Sequence, residues 1–407
     1  RDVLGSRGLG DVYKRQAMVM AMAGCGNTDN GSAATGTNAA TESAAASDSA
    51  ASGSVFKIGG IGPTTGGAAV YGLAVQHGAE IAVEEINAAG GINGYQVEFK
   101  FQDDEADAEK SVNAYNALKD WGAQIIDGST TSGACIAVTD KTKEDNMFQI
   151  TPSGSAVECV QYDNNFRVCF SNPNQGLASA QYIGENGLAE KIAVIYDSSD
   201  VYSSGIYEKF AKEAENQPFE IVAAEAFTAD NKTDFSVQLQ KAKDAGADMV
   251  FLPIYYQESA LILTQAAAMG YAPKWFSCDG MDGILGGVDN FDVSLTEGVM
   301  LLTPFAADAT DDLTQSFVTK YKEKYGDTPN QFAADSYDAI YVIKAAIEKS
   351  GVTPDMSVSD ICDGMKAAMT EITVDGLTGS GMTWTADGEA NKAPKAVVIE
   401  NGAYKAM

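Results

Sequence analysis

The sequence predicts an α/β protein built from two Rossmann-like lobes, each a doubly wound parallel sheet. Residues 55–407 are too many for one ordinary hydrophobic core, so two lobes are the natural number. Segments with strand character alternate regularly with segments that have an apolar helical face. This alternation restarts after Pro173. Repeated strand, helix and strand units are typical of parallel sheets with helices on both faces.

In the first half, one predicted helix carries an apolar stripe and ends at Gly90-Gly91. That stripe consists of Val75, Ala79, Ala82, Val83 and Ile86. The strands predicted around it span residues 55–61, 97–101, 123–127 and 147–151. Further helices are predicted over residues 106–121 and 134–143.

In the second half, strands are predicted over residues 191–196, 221–226, 248–254 and 274–278, with amphipathic helices between them. The late segments would overfill this half: a strand over 299–302, helices over 313–325 and 333–350, and a strand over 395–400. We therefore expect the chain to cross back between the lobes.

Composition excludes several classes of function. A formal net charge of -29 argues against nucleic acid or an anionic lipid surface as the main partner. The single histidine, His77, lies on the polar side of its predicted helix as a solvated residue, which disfavours a serine-histidine hydrolase or a histidine metal site. There is no Gly-Lys dipeptide for a phosphate-binding loop and no Cys-x-x-Cys pair. We expect no metal and no cofactor.

The N-terminal region resembles a bacterial lipoprotein signal. Small residues precede Cys25, after an apolar run and the charges of Lys14 and Arg15. The resemblance implies that residues 1–25 are a signal peptide with a lipobox ending in a lipidated Cys25. Because position 1 is Arg and not Met, residues 1–16 are interpreted as a non-native end. Residues 26–54 lack large apolar side chains, so we expect a disordered tether about 30 Å in mean length.

Cys159 and Cys169 flank a short segment with turn composition at its centre. In an oxidising compartment such a pair is a candidate disulfide. The alternative is two unconnected buried thiols, because cysteine is often a small apolar core residue.

Polar and aromatic residues follow four predicted strands, and ligands of open α/β sheets bind at the carboxyl ends of strands. Residues 128–133 (GSTTSG) open a helix, and residues 151–155 (TPSGS) follow the next strand. On the second sheet, Tyr255-Tyr256 and Asp279 take the equivalent places. Hydroxyl donors on one lobe and an acid on the other suit a zwitterion. The same residues are also common as helix caps, rim packing and turns.

Four segments resemble the branched-chain amino acid type of periplasmic solute-binding protein, the receptors of ATP-binding-cassette (ABC) importers. They are residues 81–94 (IAVEEINAAGGING), 103–104 (DD), 150–152 (ITP) and 334–339 (ADSYDA). The resemblance runs from residue 55 nearly to the end. It implies two lobes joined by three crossover strands and closing on a ligand. Residues 55–172 and 303–393 would form the first lobe, and residues 173–302 and 394–407 the second.

The resemblance also implies ligand contacts. Ser132, Ser153 and Ser155 match the family's contact to the ligand carboxylate, and Asp279 matches the acid that binds the α-ammonium, although glutamate is frequent there. Four aromatic residues match the walls and the side-chain pocket: Tyr202, Tyr255, Tyr71 and Phe332.

The implied function is that of an extracytoplasmic solute-binding lipoprotein, anchored to the cell membrane only through lipid. It would capture an amino acid between its lobes and deliver it to the permease subunits of an ABC importer. We expect a monomer and no enzyme, because no nucleophile and base pair stands out. The alternative is an extracellular sensor or binding module for another small carboxylate or amide.

Overall fold

The computed structural model describes residues 53–407, and they form two α/β lobes, each around a mainly parallel sheet. The predicted fold class is confirmed. Cys25 and nearly all of the predicted tether lie outside the described residues. Between residues 53 and 407, none of the helices is both long enough and apolar enough to cross a bilayer.

The first sheet has five parallel strands in the order β2-β1-β3-β4-β5. Its strands are β1 (Phe56–Gly62), β2 (Val97–Asp103), β3 (Ile125–Asp127), β4 (Phe148–Thr151) and β5 (Asn165–Arg167). The connecting helices are α1 (Ala69–Ala88), α2 (Ala108–Trp121) and α3 (Ser132–Asp145). All of the α1 residues in the predicted apolar stripe are buried.

The second sheet has seven strands in the order β12-β11-β10-β9-β8-β6-β7. Its strands are β6 (Lys191–Asp197), β7 (Glu220–Phe227), β8 (Met249–Leu252), β9 (Lys274–Ser277), β10 (Met300–Thr303), β11 (Lys395–Glu400) and β12 (Ala403–Ala406). The helices of this part are α4 (Asn172–Glu185), α5 (Val201–Ala214), α6 (Ser236–Asp244) and α7 (Tyr256–Ala268). Strands β6 to β10 are parallel, whereas β11 and β12 add an antiparallel edge.

Three late helices pack against the first lobe: α8 (Asp312–Tyr325), α9 (Gln331–Ser350) and α10 (Val358–Met369). At Gly78 the backbones of α1 and α9 approach so closely that a Cβ would lie 2.0 Å from the carbonyl oxygen of Ala333. Lys320 of α8 pairs with Glu85 of α1 at 2.6 Å. The chain thus passes between the lobes three times: after β5, after β10 and before β11.

The expectation that His77 is a solvated residue is wrong. Its ring is half-buried and stacks on Tyr325, with centroids 3.6 Å apart and planes 8° from parallel. Its Nδ1 lies 3.2 Å from the hydroxyl of Tyr321. Both tyrosines belong to α8, which returns from the other lobe to cover this face of α1.

The predicted disulfide between Cys159 and Cys169 is absent from the structure, in which Cys135, Cys159 and Cys169 are all free thiols. Cys159 lies in a 3-10 turn, Val157–Val160, and its thiol contacts that of Cys135. The segment after it does not return as a hairpin arm. Residues Asn165–Arg167 instead join the sheet parallel to β4, and Cys169 follows that strand.

Candidate functional site

A cavity between the two lobes gathers most of the predicted ligand-binding residues. Its lining consists of Tyr71, Thr130, Thr131, Ser132, Ser153, Tyr202, Tyr255, Asp279, Gly280 and Phe332. Seven of the eight predicted positions are therefore together, and Ser155 is outside the lining. The cavity measures about 10 Å³, which is room for about one water. The lobes are consequently in a closed arrangement.

On the first lobe, Ser132 begins α3 at the carboxyl end of β3. Its Oγ accepts hydrogen bonds from the backbone N–H groups of Ser155 and Ala156, both at 3.1 Å. Because the oxygen accepts both bonds, the hydroxyl proton is left to donate into the cavity. The N-terminus of α3 adds a positive partial charge, so this corner suits an anionic group.

Neighbouring residues have different roles from those expected. Thr131 lines the cavity, and its Oγ1 is buried without a hydrogen-bond partner among residues 53–407, so its hydroxyl is a candidate second donor. The hydroxyl of Ser153 donates to the carbonyl of Thr130 at 2.6 Å. The backbone N–H of Ser155 donates to Ser132, and its carbonyl accepts from Asn172. Its Oγ is buried without a hydrogen-bond partner among the described residues, and its predicted contact with the ligand stays a prediction.

Arg167 holds the loop that supports Ser132. Its guanidinium is fully buried and donates to the carbonyls of Gly154 at 3.2 Å and Ala156 at 2.8 Å. Its charge pairs with Glu389 at 3.3 Å. A rigid planar donor thus fixes the backbone that positions the serine hydroxyl.

On the second lobe, Asp279 follows β9 and is 4% exposed. The hydroxyl of Tyr202 donates to its Oδ1 at 2.6 Å, and Nε2 of Gln175 donates to its Oδ2 at 2.9 Å. Burial raises the pKa of Asp279 to about 7, although these two hydrogen bonds lower it. The carboxylate is oriented, and no cationic side chain of the described residues pairs with it, so a bound ammonium would stabilise its negative charge.

Aromatic rings enclose the rest of the cavity. Tyr202 and Tyr255 stack with centroids 4.9 Å apart, and Tyr71 meets Tyr255 edge-on at 5.6 Å. Phe332 of α9 lies 4.4 Å from Tyr71, measured between ring centroids. These rings offer an apolar surface between the hydroxyl donors and Asp279.

Hydrogen bonds join the lobes across the cavity. The Tyr71 hydroxyl donates to the carbonyl of Gly280 and accepts from the backbone N–H of Tyr256 at 3.3 Å. At the start of α9, the Gln331 side chain donates to the carbonyl of Asp279 at 3.2 Å, and its backbone N–H donates to Asp282 at 2.9 Å. The closed arrangement is therefore stabilised by the protein itself.

Sequence reasoning missed Thr131 as a separate donor, and it missed Gln175 and Arg167 entirely. Thr131 lies in the polar loop that the sequence does single out. Gln175 and Arg167 meet their partners only in the folded chain and carry no local signal. In the part of the chain that the structure describes, no three His, Cys, Asp or Glu side chains are grouped to hold a metal ion.

Comparisons with known proteins identify the family of the chain. The family described as periplasmic binding protein matches residues 55–403. A Leu/Ile/Val-binding protein homolog from Brucella melitensis is 30% identical over 300 residues, covering 73% of this chain and 80% of its own. A leucine-, isoleucine-, valine-, threonine- and alanine-binding protein from Pseudomonas aeruginosa is 30% identical over 302 residues, covering 72% and 78%.

Among solved structures, the substrate-binding protein LivJ of a branched-chain amino acid transporter from Streptococcus pneumoniae, in complex with isoleucine, has a TM-score of 0.78. It is 28% identical, with 86% of this chain and 98% of that chain covered. A solute-binding protein from R. palustris in complex with benzoate has the same fold, with a TM-score of 0.76, 19% identity and coverage of 87% and 95%. The chain belongs to the periplasmic binding protein family.

Proposed function

We propose that this protein is the extracytoplasmic receptor of an ABC importer and that it binds a free amino acid between its lobes. The lobes would close around the ligand, less tightly than in the arrangement described above, and hold it until the receptor meets the permease subunits. The names of its relatives support a branched-chain or related amino acid. The two relatives are named binding proteins, and the structural neighbour LivJ is the substrate-binding protein of a transporter.

One observation carries the proposal. Hydroxyl donors at the start of α3 and the buried carboxylate of Asp279 line the same cavity from opposite lobes. An α-amino acid presents a carboxylate and an ammonium a few bonds apart, so each would find an opposite partner. Tyr71 and Phe332 would contact the variable side chain, because they lie on the aromatic part of the lining.

Calorimetric titration with the common amino acids tests the proposal, after bound ligand has been removed by unfolding and refolding. We expect one group of amino acids to bind. Asp279→Ala would leave the ligand ammonium buried without a partner, at a cost of about 3 to 5 kcal/mol, and affinity should fall by at least two orders of magnitude. Tyr71→Ala and Phe332→Ala should change which side chains are accepted.

Asp289→Ala is the matched control, since Asp289 is an exposed aspartate of the same lobe. It removes the same charge without touching the cavity, and it should bind as the wild type does. If Asp279→Ala also binds the amino acid as tightly as the wild type, the assignment of the ammonium contact is wrong.

A second candidate is a receptor or sensor for a small carboxylate without an ammonium. The pKa of Asp279, raised to about 7 by burial, favours it, because a protonated Asp279 tolerates a neutral partner. Benzoate, which the R. palustris neighbour binds, is a suitable probe. Binding of benzoate that Asp279→Asn leaves intact, together with no response to any amino acid, would favour this candidate.

We also propose that Cys25 is lipidated and tethers the protein to the cell membrane. The small residues before it and the tether after it support this. Expressed from its natural precursor in a bacterium that processes lipoproteins, the wild type should fractionate with membranes, and Cys25→Ser should be released. A wild-type protein recovered in the soluble fraction with its leader uncleaved would contradict the proposal.

A further inference from the structure

Two buried thiols that the candidate site does not use lie against each other. Cys135 is 0% exposed and Cys159 is 1% exposed. They pack together with Ala156 in one small buried cluster. Contact between two thiols is close to the starting geometry of a disulfide, whose S–S bond is about 2.05 Å long.

The pair lies directly behind the carboxylate corner of the cavity. Cys135 lies at the end of the first turn of α3, three residues after Ser132. The Sγ of Cys159 lies 3.7 Å from the carbonyl oxygen of Ser132, and Nε2 of Gln149 lies 3.6 Å from the Sγ of Cys135. Both cysteines belong to the first lobe, so a bond between them would leave the movement of the lobes free.

We propose that Cys135 and Cys159 form a disulfide while the chain folds outside the cytoplasm. The compartment that gives the family its name is oxidising, and disulfides persist there. Both sulfurs are sealed from solvent in the folded protein. The bond therefore forms before packing is complete, and afterwards the core protects it from reductants.

The oxidant is another disulfide, such as oxidised glutathione or a protein disulfide oxidase. The Cys135 thiolate attacks one sulfur of the oxidant, which forms a mixed disulfide and expels one thiolate. Deprotonated Cys159 then attacks the sulfur of Cys135 and expels the second thiolate. The protein loses two protons and two electrons, and the oxidant is reduced to two thiols.

Peptide mapping of the whole chain tests the pairing. The protein is unfolded with reductant, refolded with oxidised and reduced glutathione, alkylated with iodoacetamide and digested with trypsin. Cleavage at lysine and arginine places Cys135, Cys159 and Cys169 in three different peptides, 120–141, 144–167 and 168–191. We expect peptides 120–141 and 144–167 to be linked, with a mass two hydrogens below their sum, and peptide 168–191 to be alkylated.

Cys169→Ser should keep this link, whereas Cys135→Ser and Cys159→Ser should each lose it. Reduction of the refolded wild type under conditions that open the protein should lower its Tm by about 5 °C, since a crosslink closing a loop of this length is lost. Linkage of 144–167 to 168–191 would overturn the proposal. So would full alkylation of both Cys135 and Cys159 in refolded wild type, a result that depends on no variant and on no ligand.

Discussion

The hydroxyl of Tyr202 donates a 2.6 Å hydrogen bond to Oδ1 of Asp279. With Gln175 on the other oxygen, this bond fixes the direction of a carboxylate that burial has made less acidic. The orientation and the acidity of the Asp279 carboxyl group therefore have different causes. Two neutral donors fix its orientation, and its burial away from water raises its pKa. The raised pKa has a measurable consequence for binding.

We expect affinity for an amino acid to depend on pH through Asp279. Its pKa of about 7 is raised above the ordinary value by burial, so below pH 7 the free protein is increasingly protonated there. The ligand ammonium requires the charged form. Affinity should be constant just above pH 7 and fall towards the acid side with a slope approaching about tenfold per pH unit. Calorimetric titration between pH 5 and pH 8 measures it.

Asp279→Asn is the control for that profile, because it keeps the shape of the side chain and removes the titration. Its weaker affinity should change little between pH 5 and pH 7. A wild-type affinity that stays level from pH 5 to pH 8 would refute the role assigned to this carboxylate.

Tyr71→Phe should destabilise the closed arrangement. The substitution removes the hydroxyl that joins the lobes through Gly280 and Tyr256 while keeping the ring. The loss of two hydrogen bonds, at about 1 kcal/mol each, should weaken affinity for the ligand by about tenfold or more. Small-angle scattering should show a larger radius of gyration for the unliganded variant. Tyr95→Phe, at a half-buried tyrosine of the same lobe, should leave both quantities unchanged.

Arg167→Met should destabilise the first lobe by about 3 kcal/mol. It leaves the buried carbonyls of Gly154 and Ala156 without their donor. Urea denaturation measures the free energy of unfolding. Glu389→Gln removes the partly exposed anion but leaves the guanidinium its carbonyl acceptors, so it should cost less than Arg167→Met does. Equal losses in the two variants would mean that the ion pair, and not the carbonyl contacts, stabilises the loop.

Lys392→Met tests a buried ion pair next to the third crossing between the lobes. Lys392 and Asp335 are 2.7 Å apart, and their side chains are 1% and 2% exposed. Loss of the lysine should cost about 3 to 5 kcal/mol at pH 8, because Asp335 is left buried without a cation. Lys349→Met breaks an exposed pair with Glu371 and should have little effect. A negligible change in Lys392→Met would show that Asp335 has become neutral at no cost.

Asp127→Asn should stabilise the protein above pH 7. Asp127 accepts one bond, from Ser336, and its Oδ1 has no partner among the described residues. Burial raises its pKa to about 7. Between about pH 4 and pH 7 the folded protein keeps a proton that the unfolded chain loses, so stability decreases as pH rises through this window.

The amide side chain in the Asp127→Asn variant cannot ionise, so the variant does not lose stability as the pH rises. The gain at pH 8 should be on the order of 3 kcal/mol, and it should be smaller at pH 5. Urea denaturation at both pH values decides it. A variant no more stable than the wild type at pH 8 would show that water or a rearrangement already stabilises the charged form.

The lobes were predictable because their strands and helices have strong apolar patterns. Strand β5 was not, since Asn165 and Arg167 are buried polar residues in a three-residue strand and their neighbours have turn composition. Strand β12 is short and mostly exposed. The sequence does contain a start signal for helix α10, because Ser357 is a typical N-cap residue. In the structure its hydroxyl accepts a hydrogen bond from the backbone N–H of Asp360.

The site was predictable to the extent that it follows from topology. Polar residues after parallel strands converge at one edge, and this brings Ser132 and Asp279 towards one cavity. The positioning contacts of Arg167 and Gln175 were not predictable, because each connects segments whose approach is a result of folding. The pairing of Cys159 depends in the same way on where α3 lies.

The small volume of the closed cleft, about 10 Å³, also limits the rate at which a ligand can dissociate. A molecule the size of an amino acid cannot pass through the closed form, so it leaves only when the lobes separate. The dissociation rate constant then cannot exceed the frequency of opening, whatever the ligand. Ligands that differ in affinity should differ mainly in how long they keep the cleft shut, and their residence times become a measure of the lifetime of the closed state.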